Sequence, residues 1–183
     1  IYESRDNCNA IIEKYINRLI VGCSNTVIPN GVLFIGDVAF YGCRGLTTLD
    51  MPKSVIYIGT SSFEGTAWYE NQQDGVIYIN NIAYKYKGVI PSNTKITIKE
   101  GITYINSYAF SDCKGIISVS FPSSLNTIGT KAFSGCSDLT VVTMPNSITS
   151  IGESAFDGCT GLTSITISKG LNDIQQGVFA DCN

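Results

Sequence analysis

Apolar positions along this chain fall into two short patterns that recur together. The first is a phrase of the type L-x-x-L-x-L. It appears at Leu46/Leu49/Met51, Ile116/Val119/Phe121, Leu139/Val142/Met144 and Leu162/Ile165/Ile167. Its alternating end suits a strand with one face in a core and one in water. The second is a shorter extended piece, as at 55–58 and 148–151, followed by Gly36, Gly59, Gly129 or Gly152. After each glycine comes a segment of the form A-F-x-G-C. It is too short for a full helix, so a single helical or 3₁₀ turn is expected, with Ala132, Phe133 and their repeats pointing inward.

The spacing of these patterns outweighs any single window. Phenylalanines at positions 40, 63, 110, 133, 156 and 179 are separated by 23, 47, 23, 23 and 23 residues. The irregular gap reads as 23 plus a 24-residue insertion. Cysteine follows three places later at Cys43, Cys113, Cys136, Cys159 and Cys182, with Thr66 as the exception. Proline precedes by eleven places at Pro29, Pro52, Pro122 and Pro145, with Lys99 and Ser168 in the other slots. A fixed period of this length is the signature of a solenoid, in which each coil buries its apolar face against its neighbours. The L-x-x-L-x-L phrases would then stack into a parallel sheet of about six strands, with the phenylalanine rings filling the opposite side.

Two segments depart from the period. Residues 1–27 do not match it, and the two apolar runs within 8–23 flank Ile16-Asn17-Arg18 as in a hairpin. A cap is expected there, because the first coil cannot leave its core open to water. Such a hairpin would let Cys8 and Cys23 face each other, and sequence spacing leaves a disulfide between them open. The insertion at about 67–92 reads as a β-hairpin, 76–79 and 82–86 around Asn80-Asn81. The domain plan is therefore a cap at 1–27 and a solenoid over 28–183 that carries the insertion.

These units resemble the BspA-like leucine-rich repeat family, also called the treponemal type. The resemblance rests on P-x-x-[IVL]-x-x-I-G-x-x-A-F-x-G-C-x-x-L-T-x-[LIV], which recurs at fixed spacing over roughly 28–65 and 93–183. It implies a leucine-rich-repeat solenoid: a curved, right-handed β/α superhelix of short parallel strands and short helical or 3₁₀ turns. It also implies secreted or surface proteins, many from host-associated Gram-negative anaerobes, with adhesion and host-protein binding as the associated roles. It carries over no catalytic residue.

Composition narrows the chemistry. The 183 residues include no histidine, 12 basic and 15 acidic residues, and a net charge of −3. Without histidine, Ser-His and Cys-His nucleophiles and His-ligated metals are excluded. The mild acidity offers no footprint for nucleic acid. No apolar run approaches the length of a membrane helix. The cysteines form a ladder along the coils rather than converging on one centre, so no metal is expected. No acidic column places carboxylates on consecutive coils. Glu153 and Asp157, in one turn, are the pair left for general acid-base work, and the bland reading is solvated surface charge. No catalytic, cofactor or metal site is assigned, and the chain is expected not to be an enzyme.

The candidate binding surface is the outward side of the L-x-x-L-x-L sheet. One column holds Asp50, Thr97, Ser120, Thr143 and Thr166. A second holds Thr47, Thr94, Ile117, Thr140 and Thr163, and a third Thr48, Lys95, Ser118, Val141 and Ser164. Threonine also favours strands for local reasons. A second candidate is the insertion, with Trp68, Tyr69, Tyr78, Tyr84 and Tyr86. Either these rings form a ligand surface or they cover the coil edge the insertion exposes. The functional expectation is an exported or cell-surface bacterial binding module, adhesive toward a host matrix protein or glycan. The alternative is a spacer or stalk presenting other domains. The start at Ile1 and the stop within a repeat at Cys182-Asn183 suggest a piece of a longer product.

Overall fold

The structure, a computed structural model, describes residues 2–4, 6 and 8–182. It is a β-solenoid of about six coils, divided into two compact units at Gln73/Asp74.

The first unit is organised around one five-stranded sheet. It contains β1 (Tyr2–Glu3), β2 (Ile11–Glu13), β3 (Arg18–Val21), β4 (Phe34–Ile35) and β5 (Tyr57–Ile58), in that order across the sheet. β1, β2 and β3 are antiparallel neighbours, whereas β3, β4 and β5 run parallel. The register places Leu19, Ile35 and Ile58 in one inward row, all fully buried, and Arg18, Phe34 and Tyr57 in the adjacent row. The turn between β2 and β3 is closed by Arg18, which donates from Nε and Nη2 to Glu13 Oε2 at 3.1 and 2.7 Å.

The second unit has two sheets. β8 (Thr94–Thr97), β10 (Ile116–Ser120), β12 (Val141–Thr143) and β14 (Ser164–Thr166) form an all-parallel sheet. The other sheet is built from β6 (Gly75–Ile79), β7 (Ile82–Lys87), β9 (Tyr104–Ile105), β11 (Thr127–Ile128) and β13 (Ser150–Ile151). β6 and β7 are an antiparallel hairpin, and β7 pairs parallel with β9. The expected sheet of about six L-x-x-L-x-L strands is thus four strands. The counterpart segment in the first unit, 46–51, forms no strand.

Between the sheets, aromatic rings stack along the coils. Phe110, Phe133, Phe156 and Phe179 lie face over face, with centroids 4.9, 5.2 and 5.6 Å apart and planes within 17°. In the first unit Phe40 and Phe63 repeat the arrangement at 5.3 Å. The first three rings of the long stack are fully buried.

The A-F-x-G-C segments are chains of tight turns rather than helices. Lys131 and Gly135, which flank Ala132 and Phe133, both have left-handed backbone (φ 52° and 74°), and a right-handed helix cannot pass through them. The first of these left-handed slots recurs at Val38, Ser61, Tyr108, Ser154 and Gly177. The one helix among the described residues is α1 (Ala67–Glu70). Thr66 explains it: its hydroxyl donates to Phe63 O at 2.6 Å and accepts from Tyr69 N at 3.1 Å, an N-cap that cysteine would supply poorly.

The cysteine ladder has a backbone role. The thiols of Cys136, Cys159 and Cys182 donate to the carbonyls of Phe110, Phe133 and Phe156 on the preceding coil, at 3.1, 3.2 and 3.1 Å. The glycine column is fixed by close approach. A Cβ on Gly152 would overlap the Thr130 nitrogen, and one on Gly129 would come within 2.6 Å of the Ser107 nitrogen.

Candidate functional site

The outward side of the four-stranded sheet divides into rows of different character. Thr97, Ser120, Thr143 and Thr166 stand opposite one another across β8, β10, β12 and β14. All four are exposed, and no described residue hydrogen-bonds their hydroxyls. Beside them run Lys95, Ser118, Val141 and Ser164 in register, with Ser118 half-buried. Between the two rows lie Ile96, Val119, Val142 and Ile165, which turn inward. The pleat alone accounts for this alternation.

The remaining column is structural. Thr140 Oγ1 donates to Ile117 O at 3.0 Å, Thr163 Oγ1 to Thr140 O at 3.1 Å, and Thr94 Oγ1 to Pro91 O at 2.6 Å. Their donors are used to tie strand starts to neighbouring backbone. The alignment of Thr94 with Ile117 is also corrected: Thr94 pairs with Ile116, and a register shift follows before Ser118. Thr47, Thr48 and Asp50 are exposed, but they lie on segment 46–51 of the first unit and belong to no sheet.

Two of the insertion aromatics are buried and three are half-buried. Tyr84 is 2% and Tyr69 8% exposed, so neither can meet a large ligand. Burial, helped by Glu64 and Glu70, pushes the Tyr69 hydroxyl up to about 12. Trp68 stands edge-on to Phe63 at 5.5 Å. Tyr86 tilts against Phe110 at 6.4 Å, at the start of the phenylalanine stack. Tyr78 is half-buried, with the Lys99 ammonium 4.4 Å from its ring centre. The reason is visible in the spacing: Tyr86 lies 23 residues after Phe63. The segment is therefore a degenerate coil with tyrosine in the phenylalanine slot, and β7 joins the second sheet as any coil would.

The potential chemistry of the thiols and acids is limited by where they sit. Burial, with the Cys182 thiol adding to it, pushes Cys159 up to about 12. Burial and the Asp112 carboxylate push Cys113 to about 11. Cys136 moves upward for the same first reason. Such thiols stay protonated near neutrality and are poor nucleophiles. Cys8 and Cys23 are free thiols, the first buried and the second exposed. Among the described residues no three His, Cys, Asp or Glu side chains gather where they could hold a metal ion. Nor is any helix there long and apolar enough to cross a membrane.

One surface escaped the sequence reading. The row Arg18, Phe34, Tyr57 on the first unit lines a hollow of about 310 Å³, together with Ile16, Gly36 and Asp37. The rings of Phe34 and Tyr57 sit 6.4 Å apart, tilted at 50°. The signal was the residue in this row of each coil, which reads Phe34, Tyr57 and Tyr104 but Thr127 and Ser150 in the last coils.

Comparison with known proteins agrees with this geometry. The family profile described as BspA type leucine-rich repeat region matches residues 11–88 and 77–183, in six copies. It therefore runs through the insertion, beyond the 28–65 and 93–183 stretches where the motif is plain. The solved leucine-rich repeat protein of T. pallidum is 26% identical, with a TM-score of 0.50, over 100% of this chain and 75% of that one. A leucine-rich repeat protein from Eubacterium ventriosum is 21% identical, with a TM-score of 0.54, over 82% of this chain and 50% of that one. A leucine-rich cell surface protein from Faecalibacterium prausnitzii is 18% identical, with a TM-score of 0.40, over 91% of this chain and 54% of that one. Among curated proteins, none matches the chain.

Proposed function

The chain belongs to the BspA-type leucine-rich repeat family, and from that premise we propose that it is a non-enzymatic binding module of an exported or cell-surface bacterial protein, acting in adhesion to a host protein or glycan. The observation that carries this reading is the exposed row Thr97, Ser120, Thr143 and Thr166, whose hydroxyls have no partner among the described residues. The core does not need these groups, and a rigid parallel sheet holds them at a strand spacing of about 4.8 Å. Such a surface is pre-organised, so a ligand that hydrogen-bonds to it loses little to ordering.

The test is a panel of extracellular-matrix proteins and immobilised glycans probed with the soluble chain. Saturable binding to at least one, weakened by Thr97→Lys with Thr143→Lys while the fold is kept, is the expected result. No saturable binding to any member would remove adhesion as the role of this segment.

A further inference from the structure

We infer that the hollow lined by Arg18, Phe34, Asp37 and Tyr57 is a subsite for one or two neutral pyranose rings of a glycan. This deepens the binding reading above and rests on it. Four features of the first unit converge on that ligand class.

The first is size. About 310 Å³ lies at the small end of ligand pockets, which run from about 300 to 1,000 Å³. It admits the end of an oligosaccharide but not a folded partner. The second is the wall. Two half-buried rings, tilted at 50° to each other, line the hollow side by side. The C–H faces of a pyranose can pack on such rings while its hydroxyls point outward, as suits groups with one apolar and one wet side.

The third is polar pre-organisation. Glu13 holds Nε and Nη2 of Arg18, and no described residue takes Nη1. Asp37 Oδ1 accepts from Thr60 N at 2.7 Å, which fixes the carboxylate and leaves Oδ2 to accept. A hydroxyl donates to one group and accepts from the other, so a vicinal diol matches the pair. The fourth is charge. Arg18, Glu13 and Asp37 sum to one negative charge, which disfavours phosphate, sulfate and uronate ligands. An apolar peptide side chain would offer no hydrogen-bond partner to Arg18 Nη1 or Asp37 Oδ2, the two positions that Glu13 and Thr60 leave open.

The experiment is an NMR titration of the ¹⁵N-labelled chain with cellotetraose, maltotetraose, laminaritetraose and N-acetylchitotetraose, against tri-galacturonate and a heparin tetrasaccharide. At least one neutral probe should saturably shift the amides of Phe34, Gly36, Asp37 and Tyr57. Phe34→Ala should weaken it by about tenfold or more, and Tyr57→Phe by less than about twofold. Asp37→Asn, an exposed change that keeps the bond from Thr60, should weaken it by about fivefold and covers the case in which Phe34→Ala misfolds. The subsite is overturned if every neutral probe leaves these amides unmoved at millimolar concentration, if the acidic probes bind more tightly, or if folded Asp37→Asn and Tyr57→Ala bind as the parent does. Saturable binding of a matrix protein while every neutral probe leaves these amides unmoved would overturn the sugar site alone. Absence of binding to any sugar or protein would sink the binding reading with it.

Discussion

In the second unit four phenylalanines stack within 17° of coplanar, and the outward row above the sheet reads Thr97, Ser120, Thr143, Thr166. In the first unit Phe40 and Phe63 form such a pair, and the outward row of its sheet reads Arg18, Phe34, Tyr57, where the equivalent row of the second unit reads Tyr104, Thr127, Ser150. The same coil thus supports a regular, hydroxyl-faced unit and a shorter one with an aromatic and charged face. Inward positions are constrained by the coil above and the coil below. The outward row Thr97, Ser120, Thr143 and Thr166 is tied to neither by a side-chain hydrogen bond, so recognition chemistry can change there without disturbing the stack.

The largest effect should come from the interior of the longer stack. Phe133→Ala removes a fully buried ring with a partner on each face and should cost about 3–5 kcal/mol, read from a urea midpoint. Phe179→Ala, at a half-buried end with one neighbour, should cost about half as much. Equal losses would show that coil position does not matter and would break the contrast between stack interior and stack end.

Next comes coil spacing. Gly152→Ala places a methyl into the Thr130 backbone and should cost about 2–3 kcal/mol. Gly36→Ala in the first unit meets Leu19 O at 3.0 Å and should cost less. If the order reverses in thermal melts, close approach is not what selects glycine in this column.

Backbone strain should act in the opposite direction. Val38 is exposed, β-branched and left-handed (φ 51°), in the slot where Gly177 sits in the second unit. Val38→Gly should stabilise by about 1 kcal/mol, since relief of strain exceeds the entropy that glycine adds to the unfolded chain. Destabilisation on melting would mean that the Val38 side chain supplies packing that the exposed site does not suggest.

The thiol ladder gives a pH dependence. The folded-state values of Cys113 and Cys159 are raised from an ordinary 9.0 to about 11 and about 12. Raised acids hold their protons longer when folded. Their contribution is therefore intact below about pH 9 and lost as pH rises through about 11 to 12. Melting temperature should fall over that window, and more shallowly in Cys159→Ala. Parallel pH curves for the two would indicate that ladder ionisation is not the cause. The smallest effect belongs to the surface: Thr143→Ala should change stability by no more than about 0.5 kcal/mol.

Much of the interior was legible because it repeats. Phe133, Ala132 and the alternating Val142 were placed by spacing alone, and each is fully buried. The left-handed slot was not legible, because Val38, Ser61, Tyr108, Lys131 and Ser154 share a backbone angle and no side-chain chemistry. The hydroxyl columns were read as one surface, yet Thr140 and Thr163 are committed to neighbouring carbonyls while Thr143 and Thr166 are not. Residue type cannot separate them, because only strand register decides which threonine reaches a carbonyl. The Arg18 row was missed because its members come from a hairpin and two two-residue strands, which leave little pattern in sequence.

The central claim is that the stacked interior holds the fold and the outward rows make the contacts. The most direct measurement is saturation binding to the best ligand of the panel, for two variant sets, beside their melting temperatures. One set is Thr97→Ala, Ser120→Ala, Thr143→Ala and Thr166→Ala together, and the other is Phe34→Ala with Asp37→Asn. Expected is a loss of about tenfold or more in affinity for at least one set, with melting within a few degrees of the parent. Undiminished binding by both folded sets would contradict the claim.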